Sequence, residues 1–197
     1  MSKFDSSAFW ESRYKHNGNS GAGSYGHLAK FKSDVINHFI SQHNITSIID
    51  YGVGDGNQTS MFDLERVNTY IGLDVSPTII NMCKEIYANR PNMRFELIND
   101  NNTIVDMAEL SISCDVLYHL IEDDVYRDYI RTLFDFSSKY VIIYANNINK
   151  NHAEHVKFRK FTDYIERVFP EWNMISHIPN KYPNESPSDF YIYTKTR

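Results

Sequence analysis

A chain of 197 residues carrying 20 Lys and Arg against 25 Asp and Glu, a formal net charge of −5, has length for one α/β domain with a full core and little left for a second. The acidic balance argues against a broad phosphate-binding surface, and so against a general DNA or RNA binder. Cys83 and Cys114 fall inside a predicted helix and a predicted strand and read as small hydrophobes of a reducing compartment; with no membrane-length apolar run and no signal-peptide pattern, the expected location is cytoplasmic.

Residues 5–15 place Phe9, Trp10 and Tyr14 at helical spacing. Residues 17–26 are glycine-rich and read as the most flexible segment. Leu28, Phe31, Val35, Ile36, Phe39 and Ile40 then form a helical stripe ending near Asn44. A strand over 46–51 leads to a short helix over 58–65, and a second strand spans 69–73. Ser76 and Pro77 are a cap and a preset first turn for a helix to about residue 88. Strands follow at 93–98 and 112–118, a helix at 123–136, a strand at 140–144 and a helix at 152–169. Strands at 172–178 and 190–194 have no helix between them and should pair as an antiparallel hairpin. The alternation predicts an α/β fold, a single doubly wound, mainly parallel seven-stranded sheet. Residues 1–26 are expected to act as a helix and glycine-rich cap on a body spanning 27–197, within one structural domain.

Ser47-Ile-Ile-Asp-Tyr-Gly-Val-Gly-Asp-Gly-Asn57 carries the strongest chemical signal. An apolar strand runs into Asp50, and Gly52, Gly54 and Gly56 alternate just beyond it, so the backbone can turn tightly and approach a ligand. A second strand, Tyr70-Ile-Gly-Leu-Asp74, also ends in a carboxylate, which in a parallel sheet can accept both ribose hydroxyls of a nucleoside. The dinucleotide fingerprint Gly-x-Gly-x-x-Gly is not met, since Asn57 stands where a third small residue is needed, and no triphosphate-binding loop occurs. The two segments together specify a nucleoside-type cofactor.

Asp-x-Gly-x-Gly-x-Gly followed by a strand ending in Asp resembles motifs I and II of class I S-adenosylmethionine-dependent methyltransferases. Phe9-Trp-Glu-Ser-Arg-Tyr14, Asn19-Ser-Gly-Ala-Gly-Ser-Tyr-Gly26, Asp115-Val-Leu-Tyr-His-Leu-Ile-Glu-Asp123 and Arg159-Lys-Phe-Thr-Asp163 look like a small subgroup of these enzymes associated with polysaccharide loci and sometimes fused to glycosyltransferase domains. Val53 departs from the family's usual Cys or Ser between the glycines and is expected to face the sheet. The resemblance covers nearly the whole chain. It implies a Rossmann-like methyltransferase fold and S-adenosylmethionine converted to S-adenosylhomocysteine. It also implies a sugar hydroxyl of a glycan or glycan precursor as acceptor, and a place in a larger glycan-assembly protein.

On this reading Asp50, Gly52, Gly54, Gly56, Asn57, Asp74 and Val75 surround the cofactor, with Asp100 at its adenine. Trp10, Arg13 and Tyr25 would close over it with the glycine-rich segment as hinge. An alcohol acceptor must lose a proton as the methyl arrives, and His119, just past the fourth strand, is the best placed of eight histidines to take it. Asp115 and Glu122 are further candidates for this step, and Tyr118, Asp123, His155 and Arg159 for acceptor binding. Each has a plainer alternative: His119 a structural histidine, Glu122 and Asp123 helix-start carboxylates, His155 and Arg159 a solvated helix face. His152, Glu154 and His155 lack zinc-ligand spacing, so no metal is predicted, although a weak Mg²⁺ site on Asp115 or Glu122 would leave little trace in a sequence. Methylation of another small molecule, or a non-catalytic binding module on the same fold, are the alternatives to a sugar O-methyltransferase.

Overall fold

The computed structural model describes residues 4–98, 106–153 and 155–196. Its chain forms two compact units, one spanning Ser7–Val105 and the other Met1–Ser6 with Asp106–Arg197. Seven strands make up a mainly parallel sheet with an antiparallel C-terminal hairpin, the α/β class expected from the alternation of strands and helices.

In the first unit β1 (Ser47–Tyr51), β2 (Thr69–Asp74) and β3 (Met93–Leu97) run parallel in the order β3-β2-β1. Ile48, Ile49, Tyr70 and Ile71 are buried on both faces of their strands, as parallel strands require. Helix α1 (Ser6–Lys15), from its second residue onward, with α2 (Gly26–His43) and α3 (Pro77–Ile86), completes it. The buried stripe of α2, Leu28, Lys32, Ile36, Phe39 and Ile40, keeps helical spacing, and Asn44 ends the helix in the left-handed region at φ 49°. Ser76 caps α3 by accepting from Ile79 N, with Pro77 in the first turn.

The helix expected over 58–65 is a single 3-10 turn, Thr59–Met61. Side chains pull this stretch out of a helical path. Gln58 donates to Ala29 O at 3.0 Å and Thr59 Oγ1 bonds the Tyr70 hydroxyl at 2.9 Å. Asn37 holds Met61 O and Asp63 N at 2.9 and 2.8 Å, which leaves Phe62 extended.

In the second unit β4 (Ala108–Cys114) and β5 (Ser137–Ala145) are parallel, and β8 (Trp172–Ile178) and β9 (Asp189–Lys195) continue the sheet antiparallel in the order β4-β5-β9-β8. Two expectations fail here. The fourth strand starts four residues early and stops at Cys114, because Asp115 takes φ 60°, and Leu117–His119 form a 3-10 turn. The helix expected over 152–169 is replaced in its first half by a hairpin of β6 (Lys150–Ala153) and β7 (Val156–Phe158), and only α5 (Phe161–Val168) is helical. Val156 is buried beside half-buried Lys157, the two-residue alternation of a strand, whereas Phe161 and Ile165 are a buried i, i+4 pair.

Phe134, on α4 (Asp123–Asp135), anchors this unit's core: its fully buried ring lies 4.7 Å from Phe169, 5.2 Å from Trp172 and 5.5 Å from Tyr193. Phe134→Ala is expected to cost about 3–5 kcal/mol in urea denaturation, and a cost below about 1 kcal/mol would show that the neighbouring rings refill the space.

Candidate functional site

The turn after β1 is fastened to β2 at its base, where Gly52 N and Val53 N both donate to Leu73 O at 2.7 and 2.9 Å. Gly52, Gly54 and Gly56 all take positive φ (82°, 57° and 76°), a conformation that favours glycine. Space is as restrictive as φ. A Cβ on Gly54 would collide with Ser20 Oγ, and one on Gly56 would press on Tyr87 and Cys83 at 3.2 and 3.3 Å. Burial pushes the Cys83 thiol up to about 12, so it stays protonated and points its sulfur at Gly54 O, 3.4 Å away. Val53 is buried against Gly72, as expected.

Asp74 joins the two motifs. Its Oδ2 accepts from Gly54 N at 3.1 Å and its Oδ1 from Ser76 N at 3.0 Å, with half-buried Val75 between. Burial raises its pKa to about 6 even though the backbone donors favour the charge. Asp50 is buried below the turn, where Tyr70 donates its hydroxyl to Oδ2 at 2.7 Å and the equally buried Lys32 supplies opposite charge; burial raises this carboxyl also to about 6. Asp50 braces the strand end from inside.

The glycine-rich segment is ordered as a strap on this turn. Asp55, between Gly54 and Gly56, accepts Ser20 N at 2.9 Å and the Tyr25 hydroxyl at 2.6 Å on Oδ2, and its own N–H donates to Ser20 Oγ at 2.9 Å. Asn57 Nδ2 donates to Ser24 O at 2.7 Å, and Tyr14 Oη lies 3.1 Å from Ser20 Oγ. Arg13 is used within the strap: Nε donates to Asn19 O at 2.7 Å, and the guanidinium lies 5.7 Å from the Trp10 ring, which itself neighbours Tyr14. Below it Glu11 binds the start of α3, accepting from Ser76 Oγ and Thr78 Oγ1 at 2.5 and 2.9 Å. Burial pushes Glu11 up, but these bonds and Lys15 outweigh it and hold the carboxyl near 2. Asp55, Ser20 and Glu11 were not singled out from the sequence; the only signal for Asp55 is a carboxylate set between two glycines.

In the second unit the segment after β4 meets the β6–β7 hairpin. Tyr118 donates to Asp115 Oδ1 at 2.8 Å, and its ring packs edge-on to Phe158 at 5.8 Å. Burial, then the Asp115 charge, keeps the Tyr118 phenol protonated well above its usual range. His119 Nδ1 lies 3.2 Å from the carbonyl oxygen of His155, and the two imidazoles are nearly parallel at 6.1 Å. Glu122 accepts Ser6 N at 2.8 Å on Oε1. Asp123 is the partner of Lys157 and Arg159 at 2.7 and 2.6 Å, bonds that hold its pKa near 2. Glu122 and Asp123 therefore serve the protein's own donors, and the ring of His119 is oriented by a main-chain carbonyl. His155 and Arg159 do not share a helix face, because a strand separates them.

Asp100, with Asn99 and Asn101, lies outside the described residues, as does Glu154. Among the described residues no group of three His, Cys, Asp or Glu side chains is placed to hold a metal ion, and no helix is long and apolar enough to cross a membrane.

No family model and no curated protein matches the sequence. Solved structures do match the fold. The N-methyltransferase NodS from Bradyrhizobium japonicum WM9, in complex with S-adenosyl-L-homocysteine, superposes with a TM-score of 0.76 over 98% of this chain and 100% of its own at 12% identity. Magnesium protoporphyrin IX methyltransferase from Synechocystis PCC 6803, with bound S-adenosylmethionine, gives 0.70 over 100% of both chains, also at 12% identity. An S-adenosylmethionine-dependent methyltransferase from Clostridium acetobutylicum ATCC 824 gives 0.62 over 84% of this chain and 91% of its own at 13% identity. The chain has the Rossmann-like methyltransferase fold.

The strap's attachment is testable without ligand. Asp55→Ala removes the acceptor of Ser20 N and Tyr25 Oη, a charged hydrogen-bonding group of roughly 1.5–3 kcal/mol. Protease cleavage within residues 17–26 is expected to accelerate by about tenfold or more in native buffer, while cleavage elsewhere is unchanged. Equal rates would mean that the strap is held by other contacts.

Proposed function

We propose that this chain is an S-adenosylmethionine-dependent methyltransferase acting on a sugar hydroxyl of a glycan or glycan precursor, with S-adenosylhomocysteine as by-product. The observation that carries the cofactor half is the bond from Gly54 N to Asp74 Oδ2, which fixes a glycine-rich turn beside a buried carboxylate. The residues suit the group: the turn offers close backbone approach, and Asp74 is an acidic acceptor for ribose hydroxyls. The fold is shared with proteins crystallised with this cofactor or its demethylated form. The one of them whose name states an acceptor acts on magnesium protoporphyrin IX, so the sugar acceptor here rests on the resemblance of the segments around Trp10, Tyr25, His119 and Arg159.

When bound, the cofactor supplies an electrophilic methyl group on sulfur. The protein's tasks are alignment, exclusion of water and removal of one proton. In this reading the turn from Gly52 to Asn57 forms the floor and Asp74 binds the ribose. Val75 and Asp100 flank the adenosine, and the strap carrying Trp10, Arg13 and Tyr25 covers the site as a cap on the body of the domain. His119 takes the acceptor's hydroxyl proton, and Asp115 with Tyr118 borders the acceptor.

Calorimetric titration with S-adenosylmethionine and S-adenosylhomocysteine tests the cofactor; absence of binding to either would overturn it. Asp74→Ala is expected to weaken both by roughly 1.5–3 kcal/mol, the worth of a charge-assisted acceptor. Because the carboxyl titrates near 6, affinity should be full above that pH and decline as pH falls through it. Asp50 titrates in the same range, so Asp74→Asn is the control: its affinity should be low at pH 7.5 and change less on acidification.

Incubation with cofactor and a panel of oligosaccharides, read as the gain of one methyl by mass spectrometry, tests the acceptor class. His119→Ala is expected to keep cofactor affinity while turnover drops on the order of 10²–10⁴-fold, the range for loss of general-base assistance. A drop of only a few-fold would assign the proton to another group.

A further inference from the structure

The guanidinium of Arg159 is mostly buried, with 14% of its side chain exposed, and it is spent almost entirely on one loop. Nη1 donates to Leu120 O at 2.6 Å, and Nη2 donates to Ile121 O at 2.8 Å. Nη2 and Nε also reach Asp123 Oδ1 at 2.6 and 3.2 Å, and the group lies 4.3 Å from the centre of the Tyr126 ring on α4. Two of the acceptors are main-chain carbonyls immediately after His119. Arg159 directly follows β7, and His155 directly precedes it. One short strand therefore meets the His119 loop at both ends, through the His155 carbonyl at one and the Arg159 fork at the other, with Tyr118 against Phe158 between them.

That arrangement bears on which nitrogen of His119 carries the proton. A carbonyl oxygen can only accept, so a hydrogen bond to His155 O requires a proton on Nδ1. In the neutral ring the accepting lone pair is then on Nε2. If the loop slid by an ångström the bond would lapse, and the ring would be free to exchange tautomers.

We infer that Arg159 is a positioning residue: by clamping Leu120, Ile121 and Asp123 to the end of β7 it keeps His119 Nδ1–H on the His155 carbonyl and so presents Nε2 as the proton acceptor. The inference rests on the reading of His119 as general base for its catalytic meaning, but the tautomer it fixes can be observed without turnover. Lysine cannot substitute, because one ammonium cannot span two carbonyls and a carboxylate in the planar fork that guanidinium provides.

The test uses the full chain labelled with ¹⁵N-histidine. Long-range ¹H–¹⁵N correlation is recorded at a pH where the His119 ring is neutral, and its signals are assigned by their loss in His119→Asn. The wild-type ring should show the Nδ1–H pattern. Arg159→Lys and Arg159→Gln should move it toward Nε2–H or an average of the two, whereas Lys157→Ala, which removes only a salt bridge to Asp123, should not. An Nε2–H pattern in the wild type, an unchanged pattern in both Arg159 variants, or an equal change in Lys157→Ala would each overturn the inference; the wild-type spectrum suffices even if a variant fails to fold. Methyl transfer supplies the second readout. Arg159→Lys should lose turnover by about 10²-fold with cofactor affinity kept, as expected of a misplaced group. A tautomer change in a protein whose His119→Ala variant retains full turnover would refute the base reading while leaving the clamp intact.

Discussion

The Asp74 carboxylate spends one oxygen on Gly54 N and the other on Ser76 N, so it is the point at which the turn after β1, the end of β2 and the start of α3 are held together. Ionised, it is stabilised by these backbone donors and destabilised by burial, and burial wins by enough to bring its pKa to about 6. A site poised in that way gains from any ligand that adds a donor, because each new hydrogen bond offsets part of the desolvation already incurred. The glycines follow from the same constraint. With the Gly54 amide committed to Asp74, the peptide must turn at φ 57°, and the space above it is already occupied by Ser20.

Asp55 makes the turn a two-sided object. Below, the backbone is tied to β2 through Leu73 O; above, the Asp55 carboxylate holds Ser20 and Tyr25. The strap is therefore ordered by contacts with the turn, and Glu11 adds a second anchor at the start of α3 that survives until strongly acidic pH, since its carboxyl is held near 2. A depressed carboxyl contributes stability above its unfolded value near 4.5 and loses it as pH falls toward 2. The carboxyls of Asp50 and Asp74 work in the opposite sense: raised to about 6, they favour the folded state below about pH 4 and lose that contribution as pH rises through 6. Near neutral pH the turn thus carries two buried charges at some expense to stability, a trade that fits a binding site better than a purely structural turn.

Much of the fold was legible because it is local. The buried strands, the α2 stripe, the Ser76–Pro77 start and the C-terminal hairpin each follow from a period or a cap within a few residues. What was not legible depends on partners far along the chain. Asp55 meets Ser20 across 35 residues and Glu11 meets Thr78 across 67, distances over which a single sequence carries no pattern. Residues 58–65 have acceptable helix composition, yet Gln58, Thr59 and the carbonyl of Met61 are claimed by α2 and Tyr70. The helix expected over 152–169 fails in its first half, where Val156 and Lys157 alternate as a strand and Phe158 packs on Tyr118, and only Phe161 and Ile165 keep helical spacing.

That misreading bears on chemistry, because it conceals how His119 is oriented. The neighbouring carboxylates of Glu122 and Asp123 are the natural partners to seek beside a histidine, but Glu122 Oε1 accepts Ser6 N while its Oε2 is buried with no hydrogen-bond partner, and Asp123 Oδ1 holds Lys157 and Arg159. One group that meets the ring is the carbonyl of His155, a backbone atom that every residue type possesses, so its role leaves no mark in the residue identity at 155. Only the placement of β7 gives that carbonyl its function, and β7 is placed by side chains at 157, 158 and 159. A main-chain acceptor also differs from a carboxylate in kind. This contact directs the ring without adding negative charge, so if His119 is the proposed base, the contact gives the resulting imidazolium less electrostatic support than an aspartate in its place would.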